Sequence, residues 1–136
     1  MHLSLYSDLD EILRAKEALQ RFAVEFKLPP GVAQAAELAL DELLTNIVAY
    51  GEAGAQPNAI ELTFELEADA LKILISDAGI CFNPFDSRDV PEPESDLSLE
   101  QRQLGGHGIQ LVKEFIDTYY YQRQGARNVV TLRKLL

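Results

Sequence analysis

In 59-AIELTFELEADALKILIS-76 the apolar residues fall on every second position: Ile60, Leu62, Phe64 and Leu66, then Leu71, Ile73 and Ile75. Alternation at a period of two marks a strand with one buried face. The link around Glu67–Asp69 is short, so residues 59–66 and 70–76 read as an antiparallel hairpin. Upstream, residues 2–7 alternate as a short strand. Ser7 then opens a helix, with Asp10 three residues on as an Asp variant of the capping box. Leu9, Ile12, Leu19, Phe22 and Phe26 carry that helix to about Lys27, and Pro29, Pro30 and Gly31 break it. A second helix runs from Val32 to Tyr50 on an apolar stripe of Ala36, Leu40, Leu43 and Ile47. Downstream come a helix over 107–116 and two strands, about 117–123 and 128–135, joined by a turn at QGARN. The order β-α-α-β-β-lid-α-β-β, with strands in consecutive pairs, predicts a two-layer α/β (α+β) sandwich. Its mostly antiparallel mixed sheet is covered on one face by helices.

The chain has 136 residues, which fits a single domain spanning 1–136. Apolar residues make up 47% and charged residues 25%, an ordinary globular composition. No apolar run approaches the ~18 residues of a membrane span, and the N-terminus lacks the basic start and apolar centre of a signal peptide. The one cysteine, Cys81, cannot form an internal disulfide. Together these features predict a cytoplasmic protein with no membrane partner. Net charge is −10. A nucleic-acid partner is therefore not expected, because displacing phosphate counterions requires a cationic surface. Acidity does not exclude ATP, since backbone N–H groups and a metal ion can hold its phosphates.

Three motifs carry chemistry. In 41-DELLTNIVAYG-51, Glu42 and Asn46 are four apart and share one side of the helix, beside its apolar stripe. That pair could address a metal or a phosphate-bearing ligand; it could equally be the solvated flank of an amphipathic helix. In 77-DAGICFNPF-85, Asp77 ends an apolar strand and Gly79 permits close backbone approach. A strand-end carboxylate can accept a hydrogen bond from an exocyclic amine such as that of adenine; the same residues also make plain turns. In 105-GGHGIQLVKEF-115, Gly105, Gly106 and Gly108 lead into a helix. Such an entry offers unpaired N–H groups to an anion, or serves as a hinge. Between the last two motifs lies 86-DSRDVPEPESDLSLEQRQ-103, polar, acidic and long for a loop.

In this order the motifs resemble the GHKL (Bergerat-fold, histidine-kinase-like) ATPase superfamily, and within it the anti-sigma-factor serine/threonine kinase family. ELLTNIVAYG is similar to the N box, DAGICFNPF to the first glycine box and GGHGIQLVKEF to the second. The resemblance implies that Asn46 holds the Mg²⁺ bridging the phosphates of ATP and that Glu42 is the general base activating a serine or threonine hydroxyl. It implies that Asp77 reads the adenine amino group, that Gly79 lets the backbone pass close to the base, and that Thr131 on the last strand supports Asp77. Gly105, Gly106 and Gly108 wrap the phosphates, and residues 86–104 form the ATP lid, expected to be disordered without Mg·ATP. His107 is then incidental or auxiliary. With His2 the only other histidine, a His-rich metal site has no support. Cys81 is expected in the pocket wall. Tyr119–Tyr121 are expected to form a strand with alternating faces.

One departure bears on activity. Kinases of this family often carry Arg immediately before the second glycine box, where this chain has Leu104, with Arg102 the nearest arginine. Loss of that cation would weaken transition-state stabilisation more than nucleotide binding. The expected function is an ATP-binding serine/threonine kinase and anti-sigma-type regulator in a partner-switching pathway. It would phosphorylate a STAS-type antagonist, with a sigma factor as a further candidate partner and a homodimer as a candidate assembly. The alternatives are a nucleotide-binding interaction module without phosphotransfer, and a detached histidine-kinase-type ATPase domain, for which no phosphoacceptor helix pair is present.

Overall fold

A computed structural model describes residues 1–86 and 108–136 of the chain. The lid beyond Asp86, its order without nucleotide, Arg102, Leu104, Gly105, Gly106 and His107 lie outside the described residues. The elements are β1 (His2–Leu5), α1 (Leu9–Glu25), α2 (Pro30–Tyr50), β2 (Ile60–Leu66), β3 (Ala70–Asp77), α3 (Gly108–Phe115), β4 (Thr118–Gln124) and β5 (Arg127–Leu135). The strands form one sheet in the order β1-β2-β3-β5-β4. All four pairings are antiparallel, so the parallel component of a mixed sheet is not seen among the described residues. The helices cover one face, as the alternation requires.

Local chemistry explains the boundaries. The cap of α1 is Asp8, not Ser7. Asp8 is extended (φ −146°, ψ 142°) and its carboxylate accepts the Asp10 N–H at 3.0 Å. Asp10 and Glu11 in the first turn complement the helix dipole. Helix α2 begins at Pro30, where the missing N–H removes a donor that no helix could satisfy. At the β4–β5 turn, Gly125 takes φ 58°, in the left-handed region that glycine enters freely, and this lets Gln124 pair with Arg127.

Register decides which residues share the core face. Leu62 opposes Ile75 and Phe64 opposes Ile73; Ile75 opposes Val130 and Ile73 opposes Leu132. All six are buried. Against them pack Ile12, Ala15, Leu19 and Phe22 of α1 and a broad face of α2. Ala36 and Ala39 of α2 are fully buried, and such small side chains let neighbouring elements approach closely. Phe64 lies at 5.7 Å from Phe22, tying β2 to α1. On β4, Tyr119 and Tyr121 oppose the inward Leu132 and Val130 while Tyr120 opposes Thr131 on the outer face, the alternation expected of that run.

Phe64→Ala is expected to cost about 3–5 kcal/mol, the usual loss for a buried phenylalanine whose cavity cannot collapse. Urea unfolding of the variant beside the parent protein measures it.

Candidate functional site

A narrow pocket lies between the second half of α2, the end of β3 and the start of β5. Its walls are apolar: Leu43 and Ile47 of α2, Ile75 of β3, Val130 of β5, and Phe82 and Pro84 of the segment after β3. Three polar side chains open into it, Asn46, Asp77 and Asn128. All three are buried, at 6%, 4% and 2% exposure. An apolar cleft with a few convergent polar groups is what binding of a small ligand requires.

Asp77 is the last residue of β3, on the inner face, paired with Ile60 on one side and Asn128 on the other. Its Oδ1 accepts the Gly79 N–H at 2.9 Å and the Asn128 amide at 3.0 Å. Its Oδ2 receives no hydrogen bond from the described residues, leaving an acceptor for a ligand. Burial pushes the carboxyl above the usual range. The bonds from Asn128 and Gly79 pull it back, as do the more distant charges of Arg127 and Arg123.

Thr131 does not support Asp77. It opposes Leu74 on the outer face of the sheet, whereas Asp77 faces inward, and a strand cannot turn one side chain through to the other face. Asn128 holds that position instead. The alternation of 128-NVVTLR-133 carried the signal, since Asn128 shares parity with the apolar Val130 and Leu132 while Thr131 does not. Gly79 is required for a reason besides ligand approach: a Cβ there would overlap the Gly51 carbonyl oxygen and the Asp77 carboxylate. Cys81 is exposed and does not line the pocket. Its Sγ lies 3.5 Å from the Tyr121 hydroxyl, and the wall position belongs to Phe82.

On α2, the Asn46 amide donates to Glu42 Oε1 at 3.4 Å. This turns Asn46 Oδ1 the other way, where it meets no partner among the described residues. A buried amide oxygen without a partner is a suitable ligand for Mg²⁺, a cation often held by few protein groups together with substrate phosphates. No cluster of three His, Cys, Asp or Glu that could hold a metal exists among the described residues, so the phosphates would have to complete such a site. Glu42 is half-buried. Burial raises its carboxyl above the usual range, the Asn46 bond lowers it and the neighbouring Asp41 raises it. At the start of α3, a Cβ on Gly108 would overlap the Glu42 carboxylate, so this glycine makes room for the acid. The structure therefore joins Glu42, Asn46 and Gly108 in one contact set, and Asn46, Asp77 and Asn128 in one pocket.

The sequence profile of the histidine kinase-like ATPase domain matches residues 5–134. The chain belongs to the histidine kinase-like ATPase domain family. It is 34% identical over 95 residues to the serine/threonine-protein kinase BtrW of Bordetella bronchiseptica, a match spanning 70% of this chain and 65% of BtrW. Two solved structures share the fold. A chain carrying the RsbU and RsbW domains of Rv1364c from Mycobacterium tuberculosis superposes with a TM-score of 0.71 at 13% identity, over 99% of this chain and 32% of that one. A chain of the SiaB–SiaC complex from Pseudomonas aeruginosa gives 0.63 at 14% identity, over 100% and 89%. The resemblance read from the three boxes is borne out at the level of the family. No helix among the described residues is long and apolar enough to cross a membrane.

The raised carboxyl of Asp77 sets a sign for stability. Between the ordinary carboxylate pKa and the raised one, the folded ATPase domain binds more protons than the unfolded chain. Stability is therefore greatest on the acid side of that window and falls as pH rises through the folded pKa. Asp77→Asn keeps the acceptor for Gly79 and Asn128 but removes the buried charge. The variant is expected to be at least as stable at neutral pH without nucleotide, with a shallower fall as pH rises out of the ordinary carboxylate range. Glu42, shifted the same way, leaves a residual slope. Thermal unfolding of both proteins in buffers from the ordinary carboxylate range up to neutral pH checks this.

Proposed function

We propose that the protein is an ATP-dependent serine/threonine kinase and anti-sigma-type regulator in a partner-switching pathway, and that it phosphorylates a STAS-type antagonist protein. The observation that carries this reading is the placement of Glu42 and Asn46 one helical turn apart on α2, with Asn46 opening into the pocket that also holds the free oxygen of Asp77. Family membership supports ATP as the nucleotide. The relative named as a serine/threonine-protein kinase supports a hydroxyl acceptor over a histidine.

In this reading Asp77 Oδ2 accepts from the adenine amino group between apolar walls, and Asn46 Oδ1 is the protein ligand of Mg²⁺. Bound Mg²⁺ would neutralise charge on the phosphates during transfer. Glu42 takes the proton of the attacking hydroxyl. Burial makes its carboxylate a stronger base than an exposed one, which suits that task. Gly108 keeps the carboxylate free to reach it. Gly105 and Gly106 would contribute backbone donors to the phosphates.

Intact-protein mass spectrometry tests the reading. The protein is mixed with Mg·ATP and, in turn, each STAS-domain protein encoded by its source genome, with calorimetric ATP binding as control. One partner is expected to gain a single phosphoryl group. Glu42→Ala is expected to slow the transfer about 10²–10⁴-fold, the usual contribution of a general base, while retaining ATP. ATP binding without transfer to any partner would favour the interaction module instead, with Leu104 the first suspect. Gly108→Ala is expected to keep the fold, since alanine suits a helix start and the overlapped atoms end a flexible side chain. Turnover at saturating Mg·ATP should fall about 10–100-fold, because a displaced base works from the wrong position; single-turnover kinetics measures it.

A further inference from the structure

Helix α3 packs on α2 and runs antiparallel to it. At one end of their seam Gly108, the first residue of α3, abuts the Glu42 carboxylate. At the other end Phe115, the last residue of α3, stands across a groove of about 370 Å³ from Gly31, Gln34, Ala35 and Leu38 of α2. Gly31, Ala35, Leu38 and Glu42 recur at spacings of four, three and four, so they share one face of the helix. The groove therefore leads along that face to Glu42, which lies roughly 10 Å beyond Ala35 at a rise of about 1.5 Å per residue.

The groove is apolar and open. Phe115 is 49% exposed and Leu111, one turn earlier, 39%, whereas Ile109 and Val112 on the core side of α3 are buried. Apolar side chains gathered around one groove, unlike those scattered singly, mark an interaction site. Its rim is acidic. Glu37 and Asp41 on α2 share a single cation, Lys16. Glu114 on α3 is exposed and meets no cation among the described residues. Its neighbour Lys113 is turned to the Phe85 carbonyl.

We propose that this groove docks the phosphoacceptor protein, which fits an apolar side chain between Leu38 and Phe115 and sets Lys or Arg residues against Glu37, Asp41 and Glu114. The proposal rests on the kinase reading above and deepens it, by naming the surface that brings the acceptor hydroxyl to Glu42. A general base must lie within hydrogen-bond reach of the proton it takes. The acceptor protein must therefore cover the surface beside Glu42, and the groove is continuous with that surface. Contact on its floor supplies affinity, while the rim charges supply rate and reject acidic partners. A second copy of this chain fits poorly: a two-fold contact would set the acidic rim against itself, between molecules of net charge −10.

The test is calorimetric binding of each STAS-domain protein encoded by the source genome, with a non-hydrolysable Mg·ATP analogue present. The parent protein is compared with Phe115→Gln, Gly31→Trp and Glu114→Lys. Val24→Gln on α1, where the valine is 79% exposed, is the control. Gly31→Trp fills the groove without strain, since a Cβ there meets nothing within 4 Å and glycine is a poor helix former. Binding of the analogue alone shows that each variant has folded. Partner affinity is expected to fall about tenfold or more in Phe115→Gln and Gly31→Trp, the scale of an interface anchor. Glu114→Lys should lose less, and the loss should shrink as salt rises. Analogue affinity and the Val24→Gln protein should stay at the parent level. In phosphotransfer the groove variants should raise KM for the partner and leave kcat unchanged. Partner affinity unmoved by Phe115→Gln and Gly31→Trp overturns this inference alone. So does an equal loss of analogue affinity, which would make the groove a support of the nucleotide site. A partner that binds through the groove and is never phosphorylated overturns the kinase reading and leaves the docking surface standing. A parent protein that binds the analogue but no STAS-domain protein overturns both the partner class and this use of the groove.

Discussion

Asp77 places a carboxylate on the inner face of the sheet, where burial works against its charge. Much of the surrounding structure answers that one constraint. Gly79 must lack a side chain for the chain to turn back and present its N–H to Oδ1, and the same close approach packs the turn on the Gly51 carbonyl at the end of α2. The Ile80 N–H donates to that carbonyl at 2.8 Å, so the acid's turn and the helix end stabilise each other. Asn128 supplies the second donor only because β5 pairs with β3 in a register that sets it opposite Asp77. A slip of one residue would turn Asn128 to the outer face and leave the carboxylate half-satisfied, a state more costly than an apolar pair.

Helix α2 meets the other half of the requirement. It is buried along most of its length, and Leu43 and Ile47 form both core and pocket wall. Glu42 and Asn46 lie next to that stripe, so the packing that anchors the helix also fixes where they point. Asn46 is buried, and its amide is oriented by the bond to Glu42. The base candidate and the metal-ligand candidate are thus coupled before any nucleotide arrives. The stability of the sheet–helix interface and the precision of the site come from the same contacts.

The layout was legible where local pattern decides it. The period-two runs of β2 and β3 and the helical spacing of α2 predicted elements, faces and connection types, because burial on one face writes itself into residue parity. Glu42, Asn46 and Asp77 were legible as a group because each lies beside or at the end of such a pattern. What was not legible depended on long-range pairing. Choosing Asn128 over Thr131 required knowing which residue of β5 meets Asp77 on β3, and Asn128 stands where the turn at QGARN runs into the strand over 128–135. The contacts of Tyr121 and Arg123 with Asn128 follow from β4 lying beside β5 at the sheet edge, a neighbour relation that no local window contains. Asp8 displaced Ser7 as the cap of α1 for a smaller reason: two adjacent residues had the right chemistry, and backbone geometry chose between them.

The distribution of charge separates the two ends of the proposed ligand. The chain carries −10 overall, which disfavours a polyanion at long range. Near the pocket, the cations described in β4, β5 and α3 direct donors to main-chain or side-chain oxygens. Arg123 meets Gly79 and Asn128, Arg127 meets Ser76 and the Asn58 carbonyl, and Lys113 meets the Phe85 carbonyl. They brace the loop after β3 and the sheet rather than standing ready for phosphate. In the proposed reading, recognition of the base would fall to buried, uncharged or carboxylate acceptors within a fixed frame. Holding the phosphates would fall to Mg²⁺ on Asn46 and to backbone donors at the head of α3, groups that an acidic surface does not penalise. A domain arranged in this way can be strongly acidic and still hold a nucleotide, because little of the affinity it needs comes from the net field.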